Sequence, residues 1–285
     1  MPTFSGMQGH ENSAAETGRS DPKLAEEKRE PGELNARARA LRLLRDAGIP
    51  FVVGGAYAYA HHTGLHRDTK DLDLFLTKAD ADRAIAVFEA SGWRTERDTH
   101  GWLHKAFWED WLIDFIFGSA NGLVMVDDAW LKHGEEGEVL GQPCLIAPVE
   151  EIIWSKAFVL ERDRFDGAEL NHLLLAAGER LDWKRLLQRF DRYWEVLLGH
   201  LMFFRFAYPS DRENVPAWVM MGLLARGFDS VRGGNWSGQL CRGNLLSPVA
   251  YRVDIEERGY ENGRAWDELE RKRAGPSVED LPSKH

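Results

Sequence analysis

The stretch DLDLFL at residues 71–76 constrains the fold most strongly, because it places two aspartates inside an apolar run. Residues two apart in a β-strand point to the same face of the sheet. Asp71 and Asp73 are therefore expected to present neighbouring carboxylates, while the alternate leucines anchor the strand. Two unpaired anions at that separation repel each other, and a divalent cation relieves the repulsion. Mg²⁺ suits such a site, since it binds a few carboxylate oxygens and takes its other ligands from water and phosphates.

A third aspartate stands alone in another apolar stretch. Asp114 lies within WLIDFIFG at residues 111–118, where a buried carboxylate without a partner would be costly. On a strand beside Asp71 and Asp73, it would complete a three-carboxylate site. Such a site can hold two metal ions about 3.5–4 Å apart, and Asp114 could also accept the proton of an attacking hydroxyl. The alternative is a structural ion pair between Asp114 and an arginine.

A glycine pair precedes the aspartates. Gly54 and Gly55 follow the short apolar run FVV and precede the helix-like stretch AYAYAHHTGL. Glycines let the backbone approach a phosphate closely, and a helix N-terminus supplies N–H donors for it. The pair is also compatible with a tight turn alone.

The pattern of apolar residues divides the chain into four segments. Residues 1–33 are polar and predicted to be disordered. Residues 34–148 alternate strand and helix patterns, which predicts an α+β domain with a mixed sheet, including a hairpin that turns at Glu109 and Asp110. Residues 149–228 have helical spacing and predict a helical second domain, and 229–285 form an irregular charged segment.

The composition excludes some classes of protein. The chain has no run of the roughly 20 apolar residues that a membrane-spanning helix needs, and its start lacks the apolar core of a signal peptide. Cys144 and Cys241 are too few for a disulfide framework or a zinc-type cluster. These features predict a cytoplasmic protein without a membrane partner. A net charge of −10 gives no general attraction to nucleic acid, although the basic stretch at 183–194 could contact RNA locally.

The stretches VGGAYAYAHHTGLHRDTKDLDLFL and LIDFIF together resemble the polymerase-beta-like nucleotidyltransferase superfamily. With Arg67-x-Thr69 before the aspartates, they are most similar to its bacterial stand-alone branch. That branch includes lincosamide-type antibiotic nucleotidyltransferases and the toxin nucleotidyltransferases of abortive-infection systems. The resemblance covers about residues 36–160. It implies a nucleotidyltransferase-like mixed sheet with flanking helices, followed by a helical C-terminal domain.

The resemblance also implies a role for each matching residue. Asp71, Asp73 and Asp114 would be the catalytic residues and would bind Mg²⁺, with Asp114 assisting deprotonation of the acceptor. Asp166 stands where related chains often carry an aspartate.

A second set of residues would bind the nucleotide. The resemblance implies that Gly54 and Gly55 hold the triphosphate and that Arg67 and Thr69 lie beside the phosphates or brace the aspartate strand. Lys156 resembles a lysine that reaches the triphosphate from the first helix after the catalytic domain. Without the resemblance, Lys156 is equally compatible with a surface lysine paired to a nearby glutamate, Glu151 or Glu161.

The predicted function is Mg²⁺-dependent transfer of a nucleoside monophosphate from a nucleoside triphosphate, such as ATP, to a hydroxyl acceptor. The acceptor is a small molecule such as an antibiotic, a tRNA end or a protein hydroxyl. One alternative is a non-catalytic nucleotide-binding or interaction protein on the same scaffold. Another is a metal-dependent phosphohydrolase, which normally brings ordered histidine ligands. His61, His62 and His66 favour a surface or nucleotide-adjacent role over zinc binding, because Gly64 interrupts their helix.

Overall fold

The fold was analysed in a computed structural model that describes residues 30–98, 101–233 and 238–265. A seven-stranded mixed sheet forms its centre, with strand order β3-β4-β5-β2-β1-β7-β6. The strands are β1 (Val52–Val53), β2 (Asp71–Phe75), β3 (Arg94–Arg97), β4 (Leu103–Trp108), β5 (Trp111–Ile116), β6 (Glu135–Val139) and β7 (Gln142–Ile146). The helices around them are α1 (Pro31–Asp46), α2 (Gly55–Thr63), α3 (Lys78–Ala90) and α4 (Asp128–Lys132).

A helical region follows the sheet, as predicted. It comprises α5 (Val149–Lys156), α6 (Gly167–Ala177), α7 (Trp183–Phe190), α8 (Trp194–Ala207) and α9 (Ala217–Gly233). Two short strands, β8 (Leu240–Cys241) and β9 (Glu261–Asn262), form a parallel pair, and the short helix α10 (Arg252–Glu256) lies between them in sequence. The mixed sheet with its flanking helices and the helical region confirm the predicted α+β class. The predicted domain boundaries stay predictions.

The aspartate strand occupies the middle of the sheet. β2 pairs antiparallel with β1 on one side and parallel with β5 on the other. Its leucines, Leu72 and Leu74, and the following Leu76 are fully buried. The helices α1 and α3 pack on the sheet and on each other. The buried Arg37 of α1 donates a hydrogen bond to the carbonyl oxygen of Thr69 at 3.1 Å, so the core fixes the chain just before β2.

Several element boundaries differ from the predicted ones. The predicted helix at 149–162 ends at Lys156, because residues 160–165 form a tight turn closed by a bridge between Leu160 and Phe165. The predicted helix across 182–208 breaks at Asp191, whose φ of 38° is incompatible with a continuous α-helix. The strand β3 and the short helix α4 were not predicted. The predicted disordered tail lies outside the described residues up to residue 29, and α1 already begins at Pro31.

Two further predictions concern the cysteines and the membrane. Cys144 and Cys241 are both free thiols. Within the described part of the chain, no helix combines the length and apolarity needed to cross a bilayer. The cytoplasmic placement stays a prediction.

Ion pairs hold α7 in place, against α5 within the helical region and against α4 beside the sheet. Glu151 of α5 is fully buried and lies 3.2 Å from Arg189 and 3.3 Å from Arg185, both on α7. Arg189 also pairs with Asp127, which caps α4, at 2.6 Å. Arg185 additionally pairs with Glu150. These contacts fix α7 against α5 and α4.

Replacing Glu151 by alanine is expected to lower the free energy of unfolding by about 3 kcal/mol, because it leaves two arginines partly uncompensated in a buried setting. Chemical denaturation of the purified protein measures the change. Glu195→Ala removes an exposed glutamate of α8 and should change the stability by less than about 0.5 kcal/mol. Equal stabilities of the two variants would contradict the importance of this network.

Candidate active site

Three carboxylates from two neighbouring strands converge at one point. In the parallel pairing of β2 with β5, Asp73 stands opposite Asp114, and Asp71 lies two residues earlier on the same face of β2. Oxygen atoms of all three carboxylates lie within 4.8 Å of one another. The strand placement predicted for Asp114 is therefore confirmed, whereas the catalytic and metal-binding roles stay predictions.

The charges of these carboxylates are poorly compensated. Burial, followed by the negative charges of Asp71 and Asp114, raises the pKa of Asp73 to about 7. Burial also raises the pKa of Asp114, against the effect of the nearby Lys105 ammonium. Closely spaced hard oxygen donors with unbalanced negative charge are the ligands that Mg²⁺ prefers. The donor set therefore fits a divalent cation.

The glycine pair packs directly against the aspartate strand. Gly54 donates its backbone N–H to the carbonyl oxygen of Asp73 at 2.9 Å. A Cβ at Gly55 would lie 1.8 Å from Oδ2 of Asp73, and one at Gly54 would lie 2.1 Å from the ring of Phe75. Gly55 also has a φ of 53° in the left-handed region. The pair is thus required by close packing on β2, and its predicted contact with the triphosphate stays a prediction.

Thr69 and Arg67 lie before β2 and contact different partners. The hydroxyl of Thr69 donates a hydrogen bond to Oδ1 of Asp71 at 2.6 Å and so orients that carboxylate. Arg67 pairs with Glu169 of α6 at 3.1 Å, and its positive charge lowers the pKa of Asp73. Thr69 therefore braces the site, one of the two roles predicted for these residues.

Lys156 is nearly buried and is not a surface lysine. Its ammonium lies 3.0 Å from Asp166 and 2.7 Å from Glu169, and its side chain is only 11% exposed. Its partners are therefore neither of the glutamates predicted for the surface alternative. Burial opposes ionisation of Asp166, but Lys156 and Arg164 hold the pKa of Asp166 below its usual value. The positive charge of Lys156 also partly offsets the rise that burial causes in the pKa of Asp73.

Lys105 is a site residue that the sequence interpretation missed. It lies on β4 directly opposite Asp114, and its Nζ donates to Oδ1 of Asp114 at 3.1 Å. The cation beside Asp114 is therefore a lysine, whereas the alternative considered was an arginine. The pairing could have been predicted from the hairpin, because a turn at Glu109 and Asp110 makes residue 105 the cross-strand partner of residue 114.

The histidines form a separate network. His61 and His62 lie with Glu135 in a group that could geometrically hold a metal. A guanidinium already fills that position, because Arg180 donates to Glu135 at 2.8 Å and to Nδ1 of His62 at 3.0 Å. The other nitrogen of His62 bonds the carbonyl oxygen of Ala147 at 2.8 Å. His62 is buried, so the predicted surface role is wrong for this residue.

Comparison with known proteins places residues 33–195 in a described sequence family. The match is to the family "Nucleotidyl transferase of unknown function (DUF2204)". No curated protein matches the chain by sequence.

Several solved structures are similar in part. The antibiotic-resistance factor ANT(2'')-Ia is 20% identical, with a TM-score of 0.42 over 60% of this chain and 97% of that one. An antigenic nucleotidyltransferase-like protein from Paracoccidioides brasiliensis is 13% identical, with a TM-score of 0.46 over 67% of this chain and 98% of that one. The lincosamide antibiotic adenylyltransferase LnuA is 13% identical, with a TM-score of 0.37 over 49% and 94%.

Proposed function

Because the chain belongs to the family of nucleotidyl transferases of unknown function (DUF2204), we propose that it transfers a nucleoside monophosphate from a nucleoside triphosphate to a hydroxyl acceptor with the aid of Mg²⁺. The observation that carries the proposal is the convergence of Asp71, Asp73 and Asp114 within 4.8 Å. A group of three closely spaced carboxylates, of which Asp114 is buried and the other two are half-buried, is difficult to account for structurally, because their negative charges repel each other. It is readily accounted for as a cation site.

Each carboxylate has its own part in the proposed reaction. Asp71 and Asp73 would hold Mg²⁺, with Thr69 fixing the orientation of Asp71. Mg²⁺ bound there would neutralise phosphate charge and help to form the nucleophile. Asp114, on the neighbouring strand, is the proposed acceptor of the proton of the acceptor hydroxyl.

The reaction is a displacement at phosphorus. The acceptor oxygen forms a bond to the α-phosphorus, its proton moves to Asp114, and the bond from the α-phosphorus to the bridging oxygen breaks. Pyrophosphate leaves with that electron pair. Lys156 is the proposed contact for the triphosphate, because its positive charge acts on Asp73 and its nearly buried ammonium is held in place by Asp166 and Glu169. The backbone at Gly54 and Gly55, at the start of α2, is the proposed cradle for the phosphates.

The direct test is nucleotide transfer with each of the four α-³²P-labelled nucleoside triphosphates, Mg²⁺ and a cell extract. We expect a labelled acceptor and released pyrophosphate with at least one nucleotide, ATP among them. Digestion with ribonuclease and protease then assigns the label to RNA, protein or a small molecule. Loss of one metal ligand in Asp71→Asn should reduce transfer by about 10³-fold, equivalent to several kcal/mol of transition-state stabilisation.

A matched variant controls for loss of charge. Asp68→Asn removes an exposed aspartate three residues before Asp71 and should leave transfer unchanged. Transfer that survives Asp71→Asn would contradict the proposal. Nucleotide binding without any dependence on metal, and without transfer, would favour a non-catalytic scaffold. Conversion of the labelled triphosphate to free labelled nucleoside mono- or diphosphate, with no labelled acceptor, would favour a phosphohydrolase.

A further inference from the structure

We propose that Lys105 is the resident counter-ion of Asp114 and competes with a divalent cation for that carboxylate, so that the site fills its two cation positions unequally. The inference rests on the proposed function, since it concerns the same three carboxylates. It adds an order of loading: the first cation binds through Asp71 and Asp73, and the second binds through Asp114 only when the ammonium of Lys105 withdraws.

The first support is the position of Lys105. The β4–β5 hairpin places Lys105 directly opposite Asp114, and the Nζ to Oδ1 distance is 3.1 Å. The backbone register therefore fixes this partnership, which does not depend on a flexible loop. At that distance the ammonium compensates the negative charge that Oδ1 would otherwise offer to a divalent cation.

The second support is the asymmetry of the site. Asp71 accepts a hydrogen bond from the neutral hydroxyl of Thr69. Within residues 30–98, 101–233 and 238–265, no ion pair joins Asp71 or Asp73 to a cationic side chain, whereas Asp114 has Lys105. A divalent cation can therefore bind at the first two carboxylates without displacing an ammonium, but at Asp114 it meets a positive charge.

The third support is that the side chain of Lys105 is partly exposed to solvent. Its side chain is 34% exposed, while that of Asp114 is 11% exposed. A lysine ammonium on a flexible four-carbon stem can withdraw into water without disturbing the strand that carries it. Lys105 therefore acts as a counter-ion that a divalent cation can displace. It compensates Asp114 before the second cation arrives and weakens the binding of that cation by the free energy of its own displacement.

The test measures Mn²⁺ binding to the full chain, because Mn²⁺ takes the same oxygen ligands and its free form is measured directly by electron paramagnetic resonance. For the wild type we expect one tighter and one weaker class of site. Lys105→Met should tighten the weaker class by about tenfold or more, as removal of an adjacent like charge does. Lys105→Arg keeps the charge and should retain the wild-type pattern. Lys132→Met, which removes an exposed lysine from α4, should also leave it unchanged.

The outcomes separate the two proposals. Equal Mn²⁺ binding by the wild type and Lys105→Met would overturn the role of Lys105 while leaving the metal site intact. No Mn²⁺ binding by any variant would overturn both. Mn²⁺ binding with the expected Lys105 effect, but without nucleotide transfer, would overturn the proposed function alone. Lys105→Gln serves as a second charge-removing variant, and circular dichroism verifies that each variant is folded.

Discussion

Replacing Gly55 by alanine is expected to reduce nucleotide transfer by at least about 10²-fold, the scale that misplacing a catalytic group by an ångström produces. The added Cβ would lie 1.8 Å from Oδ2 of Asp73, so the carboxylate must move away from its position between Asp71 and Asp114. Mn²⁺ affinity should fall together with the rate, because the same movement separates the cation ligands. Initial rates of labelled transfer and Mn²⁺ titration measure the two effects.

A matched glycine separates the clash from backbone strain. Gly64 also has a positive φ, 70°, but a Cβ there meets nothing within 4 Å. Gly64→Ala should therefore cost about 1–2 kcal/mol of stability, from the left-handed backbone alone, and leave the rate per folded molecule unchanged. If the two alanine variants lose activity equally, contact between Gly55 and Asp73 is not what the glycine pair provides.

Replacing Asp73 by asparagine is expected to reduce transfer by about 10³-fold while raising the stability of the metal-free protein. Burial and the two neighbouring carboxylates raise the pKa of Asp73 to about 7 in the folded state, whereas an unfolded chain has an ordinary value near 3.8. The folded state therefore favours the protonated form. The stability that this preference contributes is fully present below the unfolded pKa and is lost as pH rises through the folded pKa.

The expected pH dependence follows from that sign. In the absence of divalent cations, the wild type should become less stable relative to Asp73→Asn as the pH rises from about 4 to about 8. The loss should total a few kcal/mol, because a difference of one pKa unit between the folded and unfolded states corresponds to about one to two kcal/mol of free energy. Thermal unfolding of both proteins across that range measures the difference, and the subtraction removes the contribution of buried histidines such as His62 and His200. Mg²⁺ should stabilise the wild type at pH 8 but not the variant. A difference that does not change with pH would contradict the argument.

The sequence was sufficient to predict the parts of the site that depend on local periodicity. The two-residue repeat of a strand places Asp71 beside Asp73, and a lone aspartate in an apolar strand has few stable positions other than beside them. The hairpin turn at Glu109 and Asp110 was predicted for the same reason. The pairing of Lys105 with Asp114 could have been predicted in the same way, because the position of the turn determines the partner of each residue in the hairpin.

The contacts between distant segments could not be predicted in this way. The clash that requires Gly55 arises only because β1 lies beside β2, and nothing in the local pattern specifies that pairing. The partners of Lys156 lie on a helix and a turn whose positions depend on tertiary packing. The edge strand β3 carries the polar sequence Arg94–Arg97 and is largely exposed, so it has no apolar alternation to detect.

The placement of charge around β2 and β5 has a consequence for substrate orientation. The carboxylates Asp71, Asp73 and Asp114 stand on strands, whereas Lys156 and Arg164 belong to the segment after the sheet and both act electrostatically on Asp73. Both cations are already paired, Lys156 with Asp166 and Glu169 and Arg164 with Asp166. Under the proposed function, a metal–triphosphate complex would therefore be oriented first by its cation, at the strand carboxylates. Its phosphate oxygens would then have to compete with Asp166 and Glu169 for the same ammonium and guanidinium groups.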